Sequence, residues 1–105
     1  MVNTSETHLE SRLKELIELE VSKAISITEG VRLSKAFLER SDNESAVEIF
    51  FLNHIIDVTV NVDVNYGIII TDLSCNLQEK IKSLIEKNTK FNLRKINIIV
   101  HDIVL

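Results

Sequence analysis

Apolar and polar residues alternate without a break from Ile56 to Tyr66. Ile56, Val58, Val60, Val62, Val64 and Tyr66 stand against Asp57, Thr59, Asn61, Asp63 and Asn65. Successive strand side chains point to opposite sides of a sheet, so this period of two predicts a long strand with one buried and one wet face. Val47 to Leu52 predicts a second strand. Asn53-His54 fits a two-residue hairpin turn, since asparagine tolerates positive φ. That loop length dictates a register: Phe51 opposite Ile56, Ile49 opposite Val58 and Val47 opposite Val60. All three pairs are apolar, so turn and alternation agree. On the other face the same register sets Phe50 across from Asp57 and Leu52 across from Ile55.

Elsewhere the period is that of a helix. Leu9, Leu13, Leu16, Ile17, Val21 and Ala24 recur at helical spacing behind Thr7-His8-Leu9-Glu10, which reads as a capping box, and predict a helix over about residues 7–27. Glu20 falls inside the apolar stripe; the expectation is that the helix bends or the carboxylate snorkels past the core edge, with a buried carboxylate as the alternative. Gly30 turns the chain, Val31 to Arg40 predicts a short helix, and Ser41 to Ser45 a mobile polar loop. After Gly67, with Thr71 and Asp72 as candidate caps, Leu73, Leu77, Ile81, Leu84 and Ile85 predict a helix ending near Asn88. Ile96 to Val104 predicts the last strand. The stretch from Gly67 to Arg94 then forms a strand–helix–strand crossover. The chain is expected to form a single α+β domain over residues 1–105. Its sheet is small, three- or four-stranded and mixed, with two main helices packed on one face.

Composition narrows the class. The 105 residues suffice for one modest core, which aliphatic side chains must build, since 15 residues are isoleucine and only 5% of the chain is aromatic. Two glycines and no proline exclude linker-type and collagen-like chains, and isolated Gly30 and Gly67 cannot make a P-loop or a dinucleotide fingerprint. The net charge of −4 is the wrong sign for a protein held on nucleic acid by phosphate neutralisation. The exception is Lys80 to Lys95, where Lys80, Lys82, Lys87, Lys90, Arg94 and Lys95 face the single acid Glu86. A solvated helix end accounts for that cluster, and an acidic partner or anionic lipid is the alternative. One cysteine suits a reducing cytoplasm, Met1 to Glu10 lacks a signal-peptide pattern, and no run is apolar enough to span a membrane.

Catalytic chemistry finds little footing. His8, His54 and His101 fall on separate elements, without metal-ligand spacing. His101 and Asp102 are neighbours on a strand and are expected to point to opposite faces. Asp57 and Asp63 share a face but stand about 20 Å apart at ~3.3 Å per residue, too far for a carboxylate pair. Cys75 sits in a helical first turn with no histidine base in view. The expectation is no catalytic residue, no metal and no cofactor.

From Val47 to the C-terminus the sequence resembles the alkaline shock protein family, small envelope stress response proteins of Gram-positive bacteria. Val64-Asn65-Tyr66-Gly67 is similar to that family's tyrosine-glycine strand end. Asn76-Leu77-Gln78 with Ile81-Lys82 is similar to its helix motif, and Ile96-Asn97-Ile98-Ile99-Val100-His101 to its closing strand; Gly30-Val31 matches its Gly-Val after the first helix. Met1 to Glu6 supplies no clear copy of the family's short first strand, Asp102 stands where glycine is frequent, and the loop between helices is short. The resemblance implies a non-enzymatic cytoplasmic protein of cell-envelope stress and homeostasis that acts by protein–protein interaction or as a scaffold. It also implies a protein partner such as a membrane anchor protein, and membrane association only through that partner. Homo-oligomer formation is a further expectation, whereas nucleic acid and direct membrane insertion are not expected. The alternative is nucleic-acid or anionic-lipid binding through Lys80–Lys95. For a partner surface the register offers Phe50, Leu52 and Ile55, three apolar residues at one end of a polar face. Either Val31 to Glu39 folds over them or a partner does.

Overall fold

The computed structural model describes residues 4–38 and 46–105, with side chains for residues 11–37 and 46–105. The elements run α1 (Thr4–Ser26), β1 (Val31–Leu33), α2 (Lys35–Leu38), β2 (Val47–Leu52), β3 (Ile55–Asn65), α3 (Ile70–Asn88) and β4 (Asn92–Val104). They form an α+β fold around a four-stranded mixed sheet, in which β1 and β2 pair antiparallel and β4 parallel with β3. The hairpin has the expected register, from Val47↔Val60 through Phe51↔Ile56, and Asn53 supplies the positive φ (56°) its turn needs. Since β4 follows the whole of one edge of β3, β1 and β2 share the other end to end: β2 along Ile55–Val60, β1 along Val62–Val64.

The predicted helix over 31–40 is corrected here. Val31 and Leu33 alternate about Arg32 and extend the sheet opposite Val64 and Val62; of the predicted helix Lys35–Leu38 are helical, and Glu39 and Arg40 lie outside the described residues. Gly30 makes the turn into β1 at φ +82°, a conformation that favours glycine, and a Cβ there would stand 2.7 Å from Ile68 Cδ1 and have to displace that side chain. The Ser41–Ser45 loop and the side chains of the Thr7/Glu10 capping box lie outside the described residues; the backbone of α1 begins at Thr4, before that box. Helix α3 begins after Ile69, so Thr71 and Asp72 lie inside its first turn and Asp72 acts on the helix dipole instead. Tyr66 leaves the strand and is exposed in the turn beyond it. Strand β4 starts at Asn92, four residues earlier than the isoleucine run suggests.

Helices α1 and α3 cover one face of the sheet. Ile17, Val21, Ala24 and Ile25 of α1 and Leu73, Leu77, Ile81 and Ile85 of α3 close on Ile56, Val58, Val60, Val62 and Val64. Each fully buried aliphatic side chain contributes ~1.5–3 kcal/mol. Glu20 does not snorkel: it is 3% exposed, on the stripe that faces the core. Its Oε2 accepts from Asn88 Nδ2 at 2.9 Å and its Oε1 from Lys23 Nζ at 3.2 Å. Eight residues further along the chain, just past the end of α1, Thr28 Oγ1 accepts from Lys80 Nζ, which lies eight residues earlier on α3. Two polar links thus set the register of an antiparallel helix pair, and the buried carboxylate is tolerated because it is bonded.

Two consequences are measurable. Val60→Asp and Ile81→Asp should each abolish cooperative thermal melting, because an unpaired buried charge costs several kcal/mol against a total stability of about 5–15 kcal/mol. Asn88→Ala should lower the urea-unfolding free energy by about 1–3 kcal/mol by stripping one donor from Glu20, and Asn88→Asp by more, since it sets a second carboxylate against the first.

Candidate functional site

The face of the sheet opposite the helices carries the polar residues of β3, and it divides into two ends. At one end α2 lies on the sheet, and the alternation of exposure stops: Asn61 and Asp63 are 3% and 4% exposed, which corrects the expectation of a wet face there. Lys35 N donates to Asp63 Oδ2 at 3.0 Å, and the ring of Phe37 meets that of His101 edge-on at 4.9 Å. Asn61 stands where the shared edge passes from β2 to β1. Its N–H and its Nδ2 both donate to Ala46 O, and its carbonyl accepts from Ser34 N. With Nδ2 so fixed, Oδ1 turns to His101 Nε2, 2.7 Å away, and the imidazole must donate there.

His101 reaches Asn61 because β4 is irregular. The pairing advances Ile56↔Leu93 to Asp57↔Lys95, and Val62↔Val100 to Asp63↔Asp102, so Arg94 and His101 are extra residues in two bulges. A bulge re-aims a side chain. Arg94 grips Asp57 with Nε at 3.0 Å and Nη2 at 2.6 Å, a two-point ion pair on the open face. The expected separation of His101 and Asp102 onto opposite faces therefore fails: both line a cavity of about 440 Å³ with Arg32, Ser34, Lys35, Ala36 and Asp63. The sequence does carry a signal for this. The polar doublets Arg94-Lys95 and His101-Asp102 break the period of two inside an aliphatic strand.

The buried Ser34 Oγ and Asp63 Oδ1 have no bonding partner among the described residues. The structure brings no nucleophile together with a base at this cavity: His101 bonds Asn61, and no side-chain bond joins it to Ser34 or Asp63. His54 is exposed in the hairpin turn and Cys75 is exposed on α3; the side chain of His8 lies outside the described residues. Among the described residues no three His, Cys, Asp or Glu side chains converge as metal ligands. The basic segment is divided, with Lys80 on Thr28 and Arg94 on Asp57.

At the other end of the open face lie the three residues the register singles out. Phe50 is 62% exposed, Leu52 47%, and Ile55 is half-buried. They stand on β2 and the start of β3, and the described part of the Val31–Glu39 segment does not cover them. It pairs with Val62–Val64 and packs on Asp63 and His101 instead.

The Arg94 guanidinium, through its hydrogen bonds and its charge, holds the Asp57 carboxyl below its ordinary value of 3.8. A lowered carboxylate pKa stabilises the fold above the unfolded value, and the contribution is lost as pH falls through the folded one. In an NMR titration Asp57 should therefore protonate below 3.8 in the native protein and move up toward that value in Arg94→Gln.

Searches of curated proteins and of solved structures return no significant match. Among the described residues no helix is long and apolar enough to cross a membrane. A family model does match, over residues 20–105, from the middle of α1 through the whole sheet, and its description is of a cell envelope-related function. With the tyrosine-glycine turn after β3, the Asn76-Leu77-Gln78 segment on α3 and the closing strand β4 all inside that match, the chain belongs to the alkaline shock protein family.

Proposed function

We propose that this cell envelope-related protein is a non-catalytic interaction module of the cytoplasm, and that Phe50, Leu52 and Ile55 form the surface its partner covers. The observation that carries this reading is the exposure of an aromatic and an aliphatic side chain, side by side on β2, at the end of the open face that α2 does not cover. Isolated surface apolars are ordinary; a phenylalanine with two aliphatic neighbours, rimmed by Asn53, His54 and the Asp57–Arg94 pair, has the apolar centre and polar rim of a recognition patch. The family resemblance supplies the kind of partner, a membrane anchor protein that would bring to the envelope a chain whose described residues hold no helix long and apolar enough to cross a membrane. The separation of the histidines and Cys75 supports a role without covalent chemistry. Binding of nucleic acid or anionic lipid through Lys80–Lys95 has less support, since two of its six cations are engaged on Thr28 and Asp57.

The test combines Phe50→Ser and Leu52→Ser with thermal melting and co-purification from host membranes after cross-linking. Both side chains are largely in solvent, so each variant should melt within about 4 °C of the native protein. Both should lose the cross-linked partner. A large drop in melting temperature would make the patch part of the core, and unchanged melting with an unchanged partner would eliminate it as the interface.

A further inference from the structure

Strand β4 has a second edge, and the described residues place no strand along it. Which of its backbone groups point that way follows from Asn61. Both the N–H and the C=O of Asn61 bond toward β1 and β2, so the odd-numbered residues of β3 face that edge and the even-numbered ones face β4. Opposite Val58, Val60 and Val62, the parallel ladder then turns the amides of Lys95, Asn97 and Ile99 inward to β3. Those of Ile96, Ile98 and Val100 turn outward. The bond from Gln78 Nε2 to Ile96 O, at 3.1 Å, agrees with that assignment. Proteins blunt long edges with proline, short strands, charged side chains or bulges, and β4 carries its bulges and charges toward its two ends. This edge is 13 residues long, has no proline, and reads Ile-Asn-Ile-Ile-Val between its two bulges.

We propose that this edge pairs with the same edge of a second copy, antiparallel, about a two-fold axis at Ile98. The register follows from the faces. Leu93, Ile96, Ile98, Val100 and Ile103 lie on the helix side, and Asn92, Arg94, Lys95, Asn97, Ile99, His101, Asp102 and Val104 on the open side. Residues directly opposite in an antiparallel pair share a face. Centred on Asn97, the pairing would oppose Arg94 to Val100 across faces; centred on Ile99, it would oppose Ile96 to Asp102. Centred on Ile98, every pair matches through both bulges. Ile98 meets its own copy, Ile96 meets Val100, Leu93 meets Ile103, and Asn97 meets Ile99. Arg94 lies across from Asp102, setting one pair of opposite charges at each end by symmetry, and Lys95 lies across from His101.

The same register opposes outward-facing amides, Ile98 to Ile98 and Ile96 to Val100, giving about six backbone bonds between copies in the regular stretch. The Ile96 carbonyl, with two lone pairs, can keep Gln78 and accept the amide of Val100 as well. Apolar burial acts in the same sense. Ile96, Ile98 and Val100 are only half-buried under α3, and Ile103, on the helix side, is 48% exposed. A second copy would cover all four and join two four-stranded sheets into one with its helices on a single face.

Light scattering at micromolar concentration should give twice the 12.0 kDa chain mass. Ile98→Pro removes an amide that β3 does not use, so it should leave a folded protein of single mass. Position-specific cross-linking tests the register without relying on that variant's folding. In a Cys75→Ser background, Ile98→Cys should oxidise to a covalent dimer, because directly opposed residues stand about 5.5 Å apart at Cα, within disulfide range. Ile96→Cys should cross-link when mixed with Val100→Cys and not alone. A native protein of single mass, a dimer that survives Ile98→Pro, or one lost in Phe50→Ser instead, would overturn the proposal. So would failure of Ile98→Cys to cross-link. Each outcome is independent of whether Phe50 binds another protein.

Discussion

The fold hangs on the length of β3. Eleven residues of unbroken alternation put five aliphatic side chains on one line, and α1 and α3 close over them. A strand that long has more edge than the hairpin can use. Strand β2 pairs with its first six residues, and the remainder is taken by the three residues of β1, brought back by the turn at Gly30. Asn61 bridges the junction: its main chain serves both short strands, and its side chain ties the start of β2 to β4. Removing that amide would leave Ala46 O with the Asn61 main-chain N–H alone and take from His101 Nε2 its acceptor, so the side-chain tie between β2 and β4 would be lost.

The two faces of the sheet carry different kinds of information. The helix face is an aliphatic interior with a few bonded polar groups, Glu20 with its donors and Thr28 with Lys80 among them, and it accounts for stability. The open face is where specific geometry collects. Bulges at Arg94 and His101 deliver two side chains onto it, one clamping Asp57 and one bonding Asn61, while α2 closes the end near Asp63. The end that stays uncovered is the one with Phe50 and Leu52. The cell envelope-related function of the family is carried here on a fold with a packed interior and an apolar patch outside it.

Where the chemistry of one segment decided its structure, the sequence was readable. The hairpin register, the apolar stripes of both long helices, the crossover and the shared face of Phe50, Leu52 and Ile55 all follow from spacing, because a period of two or 3.6 assigns a face without reference to the rest of the chain; whether that trio was covered did not. The family motifs were legible for a related reason: they lie at the turn after β3, on α3 and on β4, where local conformation restricts the residue. Val31 to Leu33 resisted because three residues are too few for a period to show, and their strand exists only by pairing with β3.

What the tertiary structure alone decided is which polar groups were buried and with whom. Glu20 reads as a misfit within its helix and becomes acceptable once Asn88, 68 residues away, donates to it. Asn61 and Asp63 look wet in their own strand and are covered by α2, an element of four residues. His101 and Asp102 share a face because β4 must fit 13 residues against the 11 of β3, and the surplus goes into bulges. The amino-acid sequence by itself therefore determined the elements, their faces and the hairpin. The partners of its buried polar groups came from contacts between distant segments, since a hydrogen bond depends on distance and direction in space and leaves no period along the chain.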